Sequence, residues 1–160
     1  MAQEALTVRS QLIPLDSMRL VLPNTSIAEV VSHQGVEDFD ADNVPQWVVG
    51  QISWRGIKLP LLSFESAMGE NAPSISKSAR VVVLNAGSHT ESLPFYAIVS
   101  QGIPRLMALK GEAIIDAPEQ SDSPYVMRHT LVDGNPAIIP NLEIIENELR
   151  SANISARELV

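Results

Sequence analysis

The run PQWVVGQISWRGIKLPLLSF, residues 45–64, opens on Pro45 and sets two glycines, an arginine and a second proline, Pro60, inside the most apolar part of the chain. Charge and conformational freedom are both costly in a β core, so the combination needs a reason. Val48-Val49 leads into Gly50, and Ile52 and Trp54 then alternate with Gln51 and Ser53, the two-residue period of a half-buried strand. Arg55-Gly56 interrupts; Ile57, Leu59 and Leu61 resume the alternation around Lys58. The spacing predicts two strands joined at a tight Arg-Gly corner, with Gly56 supplying a positive φ or a close approach that a Cβ would penalise. Pro60 has no N–H to give to a ladder, so an edge or a strand end is expected there.

Outward from that run the chain reads as many short strands. At 160 residues it fits a single domain, spanning 1–160, with a sizeable core. It is 45% apolar but only 4% aromatic, so the core is built of Val, Ile and Leu, β-formers on balance. Leu6–Pro14, Met18–Pro23 and Ile27–Ser32 alternate as strands. Glu37, Asp38, Asp40 and Asp42 form a solvated acidic loop without the ligand spacing of a calcium site. Ser63 caps a helical turn to Met68, and the polar segment 69–78 joins two halves. Arg80–Asn85, Leu93–Val99, Ile103–Leu109, Tyr125–Val132 and Pro136–Ile139 read as further strands, the last two bracketing the turn Asp133-Gly134-Asn135. Asn141 caps a final helix with Leu142, Ile145 and Leu149 on one face and Glu146 and Arg150 on the other. Strand pairs, an apolar hairpin, a proline and a short capped helix occur in both halves.

The charge and the missing residue types exclude several functions. A net charge of −8 and a sequence pI near 4.8 argue against nucleic acid or an anionic membrane surface as partner. With no cysteine there are no disulfides, thiolate metal sites or thiol chemistry. The N-terminus lacks a signal-peptide pattern and no apolar run reaches spanning length, so a cytoplasmic location without membrane insertion is expected, and the Asn24-Thr25-Ser26 and Asn153-Ile154-Ser155 sequons are chance matches. His33, His89 and His129 have no second histidine at metal-site spacing. Glu37 and Asp133 stand four residues beyond His33 and His129, but across a strand-to-loop junction where that spacing brings nothing together. Neither a nucleophile elbow nor a phosphate-cradling glycine loop is present. No catalytic residue, metal or cofactor is expected, and neither a phosphodonor histidine helix nor a receiver's acidic cluster appears.

The Gly50, Arg55, Gly56 and Pro60 spacing resembles the central motif of CheW-like domains, the scaffold modules of bacterial chemosensory arrays. Pro23, closing an apolar strand, and Glu29-Val30 further along match the same family. The resemblance implies an all-β fold of two pseudo-symmetric five-stranded barrel lobes and a C-terminal helix. We expect lobes near 15–68 and 79–150, with strand 6–14 completing the second. It implies an adaptor that binds the regulatory domain of a CheA-type histidine kinase and the cytoplasmic tip of a chemoreceptor. The competing class is a small-molecule-binding β-barrel or an enzyme.

Glu29 and Arg55 both sit in apolar surroundings, where a paired charge is tolerable and a lone one expensive. The resemblance makes their strands neighbours, so an ion pair is expected, against the alternative that each points to water. Arg55 would then fix a corner that lies by the kinase-contacting surface in the family. Val30, Val31, Ile52 and Trp54 are candidates for an exposed apolar patch beside it, or for core, and Trp47 for a lid over a barrel. The expected partner-binding set is Glu29, Val30, Gly50, Ile52, Trp54, Arg55, Gly56 and Pro60. The second half departs from the family pattern: Ser100-Gln101 stands where a Val-Asp pair is common, a glycine near Arg128 is missing, and Asn141 replaces a capping aspartate, as Ser63 does in the first half. Such divergence fits an accessory CheW-like protein of a chemosensory pilus (twitching-motility) system better than the flagellar adaptor. Whether it bridges or blocks an array is open at this point.

Overall fold

The computed structural model describes residues 7–39, 44–71, 74–87, 92–110, 114–118, 123–154 and 157–158; Asp40, Asp42 and His89 lie outside these. In chain order the elements are β1 (Thr7–Pro14), β2 (Arg19–Pro23), β3 (Ile27–Ser32), β4 (Val48–Trp54), β5 (Ile57–Leu62), α1 (Phe64–Ala67), β6 (Arg80–Asn85), β7 (Phe95–Ser100), β8 (Arg105–Lys110), β9 (Ile114–Asp116), β10 (Val126–Val132), β11 (Asn135–Pro140), α2 (Leu142–Ser151) and β12 (Arg157–Glu158). Among the described residues no helix is long and apolar enough to cross a membrane.

The strands form two sheets of the same plan. One runs β3-β6-β7-β5-β4, with β12 added on β5; the other runs β8-β1-β2-β11-β10, with β9 added on β10. The two orders correspond strand for strand. In each, an antiparallel hairpin (β4–β5, β10–β11) leads through a capped residue into a helix, and its second strand then lies parallel to the next (Leu61 beside Ala97, Ile138 beside Leu20). Each ring is closed by the segment that follows its first strand. After β3, Glu37 bridges to Gln51 of β4 through N–H···O distances of 3.0 and 2.9 Å; after β8, β9 pairs with β10. The five-stranded expectation thus describes the common ring, and each sheet carries one strand more.

The split at 15–68 and 79–150 does not follow the sheets. After α1 the chain returns as β6 and β7 and completes the first ring. In the second ring β1 and β2, from the N-terminal side of the chain, play that part. By sheet membership the first lobe is 27–100, with 157–158, and the second is 7–23 with 105–140. The pairing of β1 with β8 is what ties the N-terminal strand into the second lobe.

The core explains the unbroken apolar runs. Val81, Val83, Ala97, Val99, Leu59 and Leu61 face the interior of the first ring, while Val82, Leu84, Tyr96, Ile98 and Leu62 face a central layer shared with Ile13, Leu20, Ile138, Ile145 and Leu149. A strand buried on both faces cannot alternate with polar residues, so RVVVLN reads as a continuous run. Trp47, expected as a barrel lid, is buried in this shared layer and meets Tyr125 edge-on at 5.9 Å. Further bonds join the lobes: Gln101 N–H to the Pro14 carbonyl at 2.8 Å and Asp16 N–H to Glu65 Oε2 at 3.1 Å. Both predicted caps form, with Ser63 Oγ accepting from Ser66 N–H and Asn141 Oδ1 from Ile144 N–H.

Glu146, which helix periodicity assigns to the solvent face, is buried instead. Its Oε2 accepts from the Tyr96 hydroxyl and its Oε1 from Gly87 N–H, each at 2.9 Å. Burial, and then the carboxylate, push the Tyr96 phenol well above the ordinary tyrosine pKa. A raised folded-state pKa means this contribution is complete below the unfolded value of about 10 and is lost as pH climbs past it toward the folded value. Tyr96→Phe should cost about 2 kcal/mol at neutral pH by removing a donor from a buried carboxylate. Urea melts from about pH 8 to about 11 should show a shallower alkaline loss in the variant than in the parent. Equal slopes would mean that Tyr96 ionisation does not govern that loss.

Candidate interaction site at the β4–β5 corner

The tight turn between β4 and β5 has Arg55 at φ 48° and Gly56 at φ 78°, with Trp54 paired to Ile57 across it. Positive φ at both central residues is the two-residue hairpin turn whose twist matches the strands. Asp133 (φ 50°) and Gly134 (φ 80°) make the same turn in the second lobe. Asp tolerates that conformation through its short polar side chain; an arginine pays about 1–2 kcal/mol for it. Arg55 is therefore held by something.

What holds it is Glu29 and Trp54. The Arg55 Nη2 atom lies 3.5 Å from Glu29 Oε2, and its guanidinium carbon 4.8 Å over the Trp54 ring. Trp54 Nε1 donates to the same Glu29 oxygen at 2.6 Å. The expected ion pair forms, but on the surface: the Arg55 side chain is 67% exposed and that of Glu29 39%. An exposed pair contributes about 0–1 kcal/mol, and an exposed cation–π contact about 0.5–1, together near the cost of the strained φ. The heavy penalty of stranding a buried charge does not apply here.

The other predicted residues divide between frame and core. Ile52 and Trp54 are not an exposed patch; they are buried among Leu59, Leu61, Val81 and Val83 inside the first ring, with only the indole N–H edge of Trp54 reaching Glu29. Val30 is half-buried against the shared layer and Val31 against the first ring. Pro60 is buried in the middle of β5 rather than at an edge: it lies where outer pairing passes from β12 at Lys58 to β7 at Leu61, a break that needs no donor. Gly50 is buried, and a Cβ there would stand 2.7 Å from the Glu37 carbonyl oxygen and 2.9 Å from Val36 Cγ1. Its absence lets Glu37 close the ring. Gly50→Ala should destabilise by about 2 kcal/mol through overpacking, measured by urea unfolding, and a variant within a few tenths of the parent would show the closure to be unstrained.

Sequence reasoning missed the exposed aliphatics of this lobe. Val36, Val49 and Ile75 are exposed and surround a hollow of about 220 Å³ that His33 and Gln101 also line. Val49 was legible as the outward residue between inward Val48 and Gly50; Val36, alone in a loop, carried no signal. Next to them Glu37 Oε2 takes a bond from Lys58 Nζ at 3.1 Å. Among the described residues no group of three His, Cys, Asp or Glu side chains could hold a metal ion.

A model of the CheW-like domain matches residues 10–149. The chain belongs to the CheW-like family. The crystal structure of the scaffolding protein TtCheW from Thermoanaerobacter tengcongensis shares its fold, with a TM-score of 0.70 over 89% of each chain at 16% identity. No curated protein matches. In CheW-like terms the departure at Ser100-Gln101 is structurally absorbed: the buried Ser100 hydroxyl lies 2.6 Å from the Gly102 carbonyl and 3.2 Å from that of Pro14, a link between the lobes.

Proposed function

We propose that this CheW-like chain is a non-catalytic adaptor that couples a CheA-type histidine kinase to chemoreceptors. The observation that carries the reading is the corner itself. An arginine is kept in a strained backbone conformation, stacked on a core tryptophan and paired to Glu29, with most of its side chain in water. A purely structural turn would use Asn or Gly there, as the Asp133-Gly134 turn nearly does. The kinase's own CheW-like regulatory domain docks on this face, with Arg55 and Glu29 fixing orientation and Val36 and Val49 supplying apolar contact in place of buried Ile52 and Trp54.

The receptor's helical tip takes the groove between lobes. A hollow of about 680 Å³ opens there on the second lobe, lined by Leu15, Met18 and Ile138 together with Asp16, Arg19 and His129, with Met68 beside α1 as the first lobe's contribution. That is the helix-in-groove mode, with modest affinities raised by avidity in an array. The divergent second half favours a pilus-type system. Calorimetric titration with the regulatory domain of a CheA-type kinase from the same organism should give a saturable complex; absence of binding together with a metabolite-dependent rise in melting temperature would favour a ligand-binding barrel instead.

A further inference from the structure

The outer edge of β5 has a gap. On that side β7 pairs only with Leu61 and Leu62, Pro60 brings no N–H, and the hairpin turns at Gly56. Between these limits, Ile57 and Lys58 would show bare strand backbone to a passing chain. The gap is taken by β12, antiparallel, with Glu158 opposite Ile57 and Arg157 opposite Lys58. The second lobe treats the corresponding place differently: two residues past its turn, the Pro136 carbonyl accepts from Arg19 Nη2 at 3.2 Å. One lobe therefore covers this edge with a fixed side chain, and the other with a borrowed strand.

The borrowed strand has a slight hold. It is two residue pairs long and follows Ile154, which is buried in the shared core layer. It also ends beside Arg55-Gly56. We propose that the β5 edge at Ile57–Lys58 is a strand-docking site, and that β12 is its resident competitor. The fitting partner is a polypeptide offering an extended segment of two or three residues, which adds antiparallel to β5 and displaces β12. The inference rests on the reading that the kinase's regulatory domain meets the corner. That contact would hold the incoming segment at high effective concentration beside the gap.

The test compares the whole chain with two variants, one lacking residues 155–160 and one carrying Arg157→Pro, which keeps the chain length but removes a backbone donor and weakens the two-pair ladder. Each is titrated with the kinase's regulatory domain by calorimetry. Both variants should bind about fivefold more tightly than the parent, the scale of one net backbone hydrogen bond released from competition. Parent and variants binding with equal affinity, or the variants more weakly, would overturn the strand-docking site and leave the adaptor reading standing. No binding by any of the three would remove the adaptor reading and this site with it.

Discussion

Arg55→Gly should leave the protein folded and remove its hold on the kinase. The expectation is a melting temperature close to the parent's, with affinity for the kinase's regulatory domain lower by more than about tenfold, or about 1.4 kcal/mol. The stability terms nearly cancel. Glycine relieves the about 1–2 kcal/mol that arginine bears at φ 48°. Against that stand the loss of an exposed ion pair, about 0–1 kcal/mol, and of an exposed cation–π contact and the greater chain entropy of glycine, each about 0.5–1 kcal/mol. Lost binding then reports on recognition, not on unfolding. Arg55→Lys refines the point, because an ammonium keeps the charge but neither stacks flat on Trp54 nor presents a fork. It should recover little of the affinity. Glu29→Gln keeps an acceptor for the indole N–H while removing the charge, and should weaken binding less than Arg55→Gly. Calorimetric titration beside thermal melts checks all three, and an Arg55→Gly protein that bound like the parent would take Arg55 out of the interface.

The hairpin was legible in the sequence because its cause is local. Alternation on either side of Arg55-Gly56 sets the register, and a two-residue linker leaves only the turns with positive φ. The same holds for Asp133-Gly134 and for the caps at Ser63 and Asn141. The lobe boundaries were not legible, because they depend on which strand lies parallel to β5 and to β11. Both partners arrive through crossovers, and the second comes from the opposite end of the chain. Period alone could not say whether Ile52 and Trp54 faced core or partner, since alternation puts them on one face of β4 without saying what covers that face. Their burial was settled by Val81, Val83 and Ala97, residues far along the chain. Glu146 misled for a related reason. The i,i+4 spacing with Arg150 describes an isolated helix, whereas here the Tyr96 hydroxyl and Gly87 N–H give its carboxylate a buried seat. Glu29 and Arg55 were singled out by charge in an apolar context and paired by the family resemblance; the pair forms, but at the surface rather than in the apolar surroundings the context suggested.

That shallow pair stands on a deep residue, and Trp54 gives the second large effect. Trp54→Ala should lower the unfolding free energy by about 3–5 kcal/mol, the range for emptying a buried aromatic site. For a domain stable by about 5–15 kcal/mol this is a large share of the total. Trp54 is 8% exposed, packs edge-on against Phe95 at 4.9 Å, and sits inside the first ring next to the turn. Nothing nearby can collapse into the space without moving β4 or β5. Trp54→Phe separates the two tasks of the side chain. It keeps an aromatic against Phe95 but loses the N–H that donates to Glu29 at 2.6 Å, so it should cost about 1–2 kcal/mol, of which the lost charge-assisted bond is the main part. Glu29 would then be oriented by Arg55 alone, and kinase affinity should fall while the fold survives. Urea unfolding with an unchanged slope would show that both variants reach the same unfolded state. An alanine variant less than about 1 kcal/mol below the parent would mean that Trp54 is not packed as a core residue, and the rigid base proposed for Arg55 would go with it.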